Sequence, residues 1–361
     1  MNRTGRASLA KREERTALLM VSPALAIVFL VALYPLASGF LTSFTDSTFA
    51  SDQPARFVGL RNYASLLAIR VRVLRPMAVD AEGKLRFQSA SEVFPRVEVI
   101  SPTGQKYVYR YSEIGQLSLF GIRFVVGARD PEFVAAVANT LAFTVITVSL
   151  ETILGTLLAL LINRQFRARG MMRALMLLPW AVPTAISSRT WEWMFASTRI
   201  GFFNVIFQAL GWGDGQIPFL QLPGWQLPAM CIIDVWKTTP FMALLILAGL
   251  QLIPAELYEA SQADGVGRVR QFWSVTLPLL KTTIAVALVF RTLDALRVFD
   301  LFQIVLGQSK YSMASFTYYQ LIQSRAAGYS SASGVLIFLV VFVFAVMYTR
   351  ALGVHAESDL G

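Results

Sequence analysis

The sequence predicts an all-α integral membrane protein of six transmembrane helices, with a small β-rich extracytoplasmic insertion between helices 1 and 2. Three observations predict it. The first is composition: 55% of the 361 residues are hydrophobic and 15% are charged, against about 45–50% and about 25% in soluble domains. The second is six apolar runs, each near the roughly 20 residues that cross a bilayer: Leu18–Leu41, Asn139–Ile162, Met171–Phe195, Gln226–Leu250, Leu279–Val305 and Ala332–Arg350. The third is that basic residues crowd alternate connections, as expected for spans oriented by the positive-inside rule.

Residues 1–17 form a basic N-terminal segment carrying Arg3, Arg6, Lys11, Arg12 and Arg15. The run 18–41 is too long and too weakly terminated for a cleaved signal peptide, and no small-x-small site follows it, so it reads as a retained helix. Residues 42–138 form a long extracytoplasmic segment. Within it, about 70–129 holds ten basic and five acidic residues and alternates apolar with polar positions. Val71–Phe87 reads as a hairpin turning at Glu82-Gly83, and Arg96–Tyr111 as another turning at Ser-Pro-Thr-Gly. This insertion is either an inert solvated module or a docking surface for an extracytoplasmic partner.

Residues 139–350 hold the remaining five helices. The connection after the second run carries Arg164, Arg167 and Arg169, with Arg173 beyond, and that after the fourth carries Arg268 and Arg270, with Lys281 beyond. The short connections on the other side carry only Arg199, then Lys310 and Arg325. Both termini, the tail 351–361 included, and the loop 251–278 are therefore predicted to be cytoplasmic. The net charge of +10 is mostly this orientation signal, and no aromatic-interleaved basic module points to nucleic acid. A single cysteine, Cys231, and a single histidine, His355, exclude an intrachain disulfide, a cysteine-cluster metal site and a Ser-His-Asp triad within the bundle. No catalytic residue and no metal ligand is assigned.

The spans carry polar groups. Thr140, Thr144, Thr147 and Glu151 share one helical face. Arg189 and Glu192 lie in the third run, and Asp234 and Lys237 in the fourth. In the fifth, Arg291, Asp294, Arg297 and Asp300 follow one another at three-residue spacing, which lets opposite charges pair on adjacent turns. Ionisable groups at mid-bilayer cost at least about 2.5–3.5 kcal/mol on insertion scales and normally face a bundle interior or a wet cavity. Two readings stand: salt bridges within helices that hold the bundle, or a polar translocation path formed by Glu151, Trp236, Arg291, Asp294, Arg297, Val298 and Asp300. Pro179, Pro183, Pro228 and Pro240 interrupt the third and fourth runs. Trp180, Trp191, Trp193, Trp225 and Trp236 gather there as interfacial anchors, with one or two able to stack on a sugar ring.

The polar stretch Glu256–Leu280 reads as a two-helix knob. Pro254 suits a helix start and the acidic Glu256 and Glu259 suit its dipole. Gly265 supplies a left-handed stop, a second helix follows over 267–276, and Pro278 breaks before the next span. This stretch resembles the EAA loop of ATP-binding-cassette importer permeases, whose pattern is E-A-A, three residues, G, nine residues, I-x-L-P. Here it reads Glu259-Ala260-Ser261, Gly265, then Val275-Thr276-Leu277-Pro278, with Ser261 and Val275 as departures. Phe57–Leu67, Asp130–Val145 and Arg291–Leu306 look like the carbohydrate-uptake branch, and the insertion falls where the maltose permease F-type subunit carries a larger loop.

The resemblance implies half of a transmembrane pathway for a sugar, maltose, maltodextrin or another di- or oligosaccharide, in a bacterial or archaeal cytoplasmic membrane. The implied partners are a second homologous permease subunit, two ATPase subunits docking on the coupling loops through residues such as Glu259, Ala260, Ser261, Gly265, Val275, Leu277 and Pro278, and an extracytoplasmic sugar-binding protein. ATP-Mg would be used by the ATPase subunits; with no GxxxxGK[ST] loop in this chain, no cofactor is expected here. Two other classes remain for comparison. A secondary transporter or channel would use the intramembrane charges for coupling but needs no ATPase knob. A membrane enzyme would need a tighter carboxylate cluster than Glu151, Asp234 and Asp294 display in sequence.

Overall fold

A computed structural model describes residues 3–79, 85–95, 97–100, 106–119, 122–212 and 214–351. Helix α1 (Arg3–Val28) passes through a π-helical turn (Phe29–Leu33) into α2 (Tyr34–Thr42), and α3 (Arg61–Leu67) follows. The β-rich segment then runs β1 (Ile69–Leu74), β2 (Pro76–Val79), β3 (Leu85–Phe87), a short α4 (Ala90–Val93), β4 (Val97–Ile100), β5 (Lys106–Tyr109), β6 (Ser112–Leu119) and β7 (Ile122–Ala128). Helix α5 (Pro131–Asn163) is the longest. After it come α6 (Arg169–Met176), α7 (Leu178–Ala181), α8 (Thr184–Met194), α9 (Phe202–Ala209) and α10 (Pro223–Gln251). The knob is α11 (Ala255–Ala263) and α12 (Arg268–Gln271), which leads through a second π-helical turn (Phe272–Thr276) into α13 (Leu277–Ala295). Helices α14 (Asp300–Val305), α15 (Met313–Ile322) and α16 (Ala327–Ala351) complete the chain.

Five segments are long and apolar enough to cross a membrane among the described residues: Arg15–Thr42, Pro131–Asn163, Pro223–Gln251, Arg268–Val305 and Ala327–Arg350. The third predicted helix, Met171–Phe195, is corrected: it is three pieces, α6, α7 and α8. Val182 is extended (ψ 130°) and Pro183 follows at ψ 137°. A residue before proline is pushed out of the α region, so the chain breaks there. The 11-residue α8 is only about 16 Å long, short of a bilayer crossing. Pro228 and Pro240 do not break α10, which runs unbroken over 29 residues.

Pro278 is a second correction. It sits in the first turn of α13, and the helix is carried through it. A proline lacks the N–H for the carbonyl four residues back and crowds that carbonyl. The wider π-turn over Phe272–Thr276 lies where that conflict falls. Pro35 stands in the same relation to the π-turn Phe29–Leu33.

The described chain divides into two compact units, 3–64 with 320–335, and 65–319 with 336–351. In the first, Asn62 Nδ2 donates to the carbonyls of Ser43 (2.8 Å) and Thr45 (2.9 Å), and Gly328 N donates to Ser47 O at 3.0 Å. In the second, α5 packs along α10 and α13. A Cβ on Gly155 would lie 2.9 Å from Met242 Cβ, so glycine there sets the close approach of α5 to α10.

The β-rich segment belongs to the second unit. The pairs β2–β3 and β4–β5 are antiparallel, and the two turns assigned from sequence, at Glu82-Gly83 and Ser-Pro-Thr-Gly, lie outside the described residues. A three-stranded sheet ordered β1-β7-β6 frames them, with Ile69 opposite Ala128 and Leu74 opposite Arg123. One face of it buries Leu74 and Val125 against Val93 and Phe94, with Arg70 over the Tyr111 ring (4.7 Å) and Arg123 over the Phe87 ring (4.3 Å). The tail 352–361, with His355, also lies outside the described residues.

Candidate functional site

Helix α5 starts sharply. The Asp130 side chain accepts from Phe133 N at 2.9 Å, and Pro131 fills the first turn. Along it Thr140, Thr144, Thr147 and Glu151 share one face and are all buried. The Thr140 hydroxyl accepts from Met313 N (2.9 Å), tying α5 to the start of α15.

Glu151 meets Arg291 of α13. Arg291 Nε donates to Glu151 Oε2 at 2.5 Å and Nη2 to Oε1 at 3.0 Å. The same guanidinium donates to Asp234 of α10 and, through Nη1, to Asp294 Oδ2 at 2.9 Å. The Thr238 hydroxyl lies 2.5 Å from Glu151 Oε1 and 2.6 Å from the Asp234 carbonyl, donating to one of them at a time. Arg291 is 3% exposed and Glu151 fully buried, whereas Asp294 is 68% exposed. A planar five-donor group is the side chain that can hold three carboxylates at once.

Pairing along a helix is present between Arg291 and Asp294 and between Arg189 and Glu192, but the three-residue spacing did not show that the same Arg291 also knots α13 to α5 and α10. Helix α13 ends at Ala295, and Phe299 (φ −125°, ψ −66°) turns the chain into α14. Arg297 and Asp300 thus leave the helical spacing and enter no ion pair among the described residues; Arg297 Nε donates to Leu293 O at 3.1 Å. Arg189 and Glu192 form an exposed pair on α8 at 2.7 Å.

A cavity of about 270 Å³ opens beside this knot. Asp234, Arg291, Asp294, Arg297, Val298 and Asp300 line it, with Lys237, Thr238, Phe143 and Phe299. Glu151 stands behind the lining, holding Arg291. Trp236 lies elsewhere, edge-on to Trp191 (5.4 Å) at an apolar depression with Leu150 and Cys231. None of the five tryptophans lines the cavity.

The opposite wall is the break in the third predicted helix. Thr184, Ser187 and Ser188 of α8 line the cavity, and the Lys237 ammonium donates to the Val182 carbonyl at 2.5 Å. Non-helical backbone at membrane depth is tolerated where it lines a cavity and is satisfied by protein. The Ser188 hydroxyl is buried and has no partner among the described residues. Sequence reasoning passed over Ser187 and Ser188; the signal was two adjacent hydroxyls just past Pro183 in an apolar run.

The knob is built differently. Gly265 takes φ +73°, a conformation costly for other residues, and turns α11 toward α12. Gln271, absent from the sequence reading, is 8% exposed. Its amide donates to Tyr258 O (3.0 Å) and to Ser261 Oγ, while Ser261 Oγ donates to Tyr258 O (3.0 Å). The Tyr258 and Thr276 hydroxyls lie 3.2 Å apart. Ser261, a departure from the alanine of the motif, thus receives a partner. Glu259, Ala260, Gly265 and Pro278 are exposed, and Ser261, Val275 and Leu277 half-buried.

Residues 151–353 match the model of the binding-protein-dependent transport system inner membrane component family. This chain belongs to that family. A trehalose/maltose transport system permease of Thermococcus litoralis is 36% identical to it, over 95% of each chain. A sulfoquinovosyl glycerol transport system permease of Agrobacterium fabrum is 31% identical, over 92% of this chain and 89% of its own. A bacterial transporter that imports the acidic polysaccharide alginate has a similar fold, with TM-score 0.68 and 21% identity over 97% of this chain and 99% of that one. An alginate transporter in complex with its pentasaccharide-bound periplasmic protein matches with TM-score 0.56 and 26% identity, over 61% of this chain and 78% of that one. The chain is an integral membrane permease of the carbohydrate-uptake branch of ABC importers. Family members of this kind are transport subunits rather than enzymes, and the stand-alone transporter reading loses its support.

Proposed function

We propose that this permease forms half of the pathway by which an ABC importer admits a di- or oligosaccharide, maltose or trehalose first among them, and that the 255–278 knob couples it to two ATPase subunits. The second permease subunit and an extracytoplasmic sugar-binding protein complete the assembly, with ATP-Mg consumed by the ATPases alone. One observation carries the reading: the chain that leaves the knob at Arg268 stays helical to Arg291 at the cavity wall. A displacement of Glu259–Gly265 by an ATPase is delivered through α13 to the lining. A six-pass topology with both termini cytoplasmic fits this, the third pass being the broken α6–α8 segment.

The cavity suits a neutral polyhydroxy ligand. Ser188 offers a buried hydroxyl in need of a partner; Asp294, Arg297 and Asp300 offer polar atoms free of interhelical duty; Phe299 offers a half-buried ring. Trehalose and maltose, the sugars of the Thermococcus litoralis relative, are the probes to use. The complex is reconstituted in liposomes with its ATPases and binding protein, and ATP-driven uptake of each labelled sugar is measured. Uptake that Asp294→Asn and Arg297→Ala reduce, with melting unchanged, supports the cavity as the path. Uptake indifferent to both substitutions, or independent of ATP, overturns it.

The β-rich segment is proposed as a docking surface for the binding protein. Ile69 and Ala128 are paired across the sheet, so 70–127 can be removed and the ends rejoined by a short linker. Unchanged stimulation by the binding protein after that excision would reduce the segment to an inert module.

A further inference from the structure

A second cavity, of about 590 Å³, lies between the end of α5 and the knob. That volume falls within the range of about 300–1,000 Å³ typical of ligand sites. Its lining is sorted in a particular way. Leu157, Leu250 and Phe272 supply an apolar wall, and Arg164, Arg268 and Asn163 supply the polar end. No carboxylate is among the lining residues. Gln271, Tyr258 and Thr276 also line it, but their polar atoms are engaged with one another and with Ser261. The Arg164 and Arg268 guanidinium groups enter no ion pair among the described residues.

The cavity lies at the ends of long apolar helices. Three candidate spans end at it: Pro131–Asn163, Pro223–Gln251 and Arg268–Val305. At 33, 29 and 38 residues these segments exceed the roughly 20 residues that cross a hydrocarbon core of about 30 Å, so ends that they share fall at the headgroup level or just beyond it. The basic loops assign that level to the cytoplasmic leaflet, which carries anionic lipid.

We infer that this cavity is a binding site for an anionic phospholipid, whose phosphate is held by Arg164 and Arg268 and whose acyl chain lies along Leu157 and Phe272. Guanidinium binds a phosphodiester through paired charge-assisted hydrogen bonds, and basic pockets beside membrane helices on the cytoplasmic side are suited to such headgroups. The occupant would brace the knob against α5, next to the Gln271 contacts. The site is independent of the sugar and of the transport reading.

Native mass spectrometry of the assembled importer tests it. The complex is released from detergent after exposure to dioleoyl phosphatidylglycerol or to dioleoyl phosphatidylcholine. One phosphatidylglycerol should be retained per copy of this chain, with phosphatidylcholine retained at least about tenfold less. Arg164→Gln, which removes the charge, and Leu157→Trp, which fills the apolar wall, should each lower retention by about tenfold without shifting the melting temperature. Millimolar inorganic phosphate should not displace the lipid. Equal retention of the two lipids, or retention untouched by both variants, overturns the inference. So does displacement by inorganic phosphate, which would make this a site for a soluble anion. Loss of the ATPase subunits from both variants with lipid retention intact would make it a protein interface, and would overturn it as well. Because retention is read on the chain itself, a failure of sugar uptake leaves this result legible.

Discussion

The charge knot around Arg291 and the knob around Gly265 lie on one continuous helical path, yet they are held in opposite ways. The knot is closed around its cation: Arg291 is 3% exposed and places four of its five N–H donors on three carboxylates from three helices. The knob is open: Glu259, Ala260, Gly265 and Pro278 are exposed, and only Gln271 and Thr276 within 255–278 are buried. Fifteen positions separate Thr276 from Arg291, about 22 Å along a helix. The difference suggests a division of labour in which the knob is a handle that can be pushed and the knot is the point that keeps the pushed helix in register with α5 and α10.

The largest effect should come from cutting the knot. Arg291→Met leaves Glu151 and Asp234 buried beside each other without their cation. Removing one partner of a buried ion pair costs about 3–5 kcal/mol, so the variant should melt far below the wild type in detergent or fail to assemble. Adding Glu151→Gln to Arg291→Met should recover part of that loss, since one orphaned charge disappears. A single variant that melts like the wild type would show that the knot holds nothing.

Gly265→Asp should act the other way round. The strain of a left-handed non-glycine residue, about 1–2 kcal/mol, stays within an exposed turn, so melting should change little. The knob's shape and charge change where an ATPase would touch, so uptake should be lost and ATPase subunits should no longer co-purify at the wild-type ratio. Normal uptake by this variant would remove the knob from the coupling path.

Much of this was legible in the sequence, and for identifiable reasons. The EAA spacing and the threonine face ending at Glu151 depend on local periodicity, and local periodicity is what a sequence displays. The convergence of Glu151, Asp234 and Arg291 depends on which helices pack together, and Arg291 lies 140 positions from Glu151. Nothing in the three-residue spacing of the fifth run distinguishes a pairing along the helix from one across it. The β1–β7 pairing was hidden for the same reason: Val71–Leu74, read as the start of the Val71–Phe87 hairpin, pairs with β7 instead, and only 76–87 and 97–109 pair locally as read. The break at Val182 was visible as Pro183, but α10 carries Pro228 and Pro240 without breaking, so proline alone does not separate the two outcomes. Gln271 was invisible because its importance comes from Ser261, which the motif comparison treats as a minor departure.

Smaller than either of these effects is that of the staple within the knob. Gln271→Ala removes two donors from Tyr258 O and Ser261 Oγ, each worth about 0.5–1.5 kcal/mol, and loosens the angle between α11 and α12. The expected outcome is an importer that melts normally and still binds its ATPases, but hydrolyses several ATP molecules more per sugar admitted. Ser261→Ala should do less, since Gln271 keeps Tyr258 O, and the double variant should add little to Gln271→Ala alone. An unchanged ratio of ATP to sugar in Gln271→Ala would mean that the handle is stiff without its staple.

The smallest change sharpens the comparison most, because it separates holding the helices from holding the sugar. Ser188 lies at the cavity wall opposite the knot, with a buried hydroxyl that no described residue satisfies. Such a group costs about 1–3 kcal/mol while it stays unpaired. If it exists only to be packed, Ser188→Ala should leave melting the same or slightly higher and leave uptake untouched. If the hydroxyl waits for a sugar, the melting result is identical but the half-saturation for uptake rises about two- to tenfold, the loss of one hydrogen bond. Arg291→Met cannot make this distinction, since a protein that no longer assembles says nothing about its ligand. A residue that stabilises nothing in the empty protein is the better reporter, and a half-saturation unchanged in Ser188→Ala would leave the polar wall of α8 without a part in recognition.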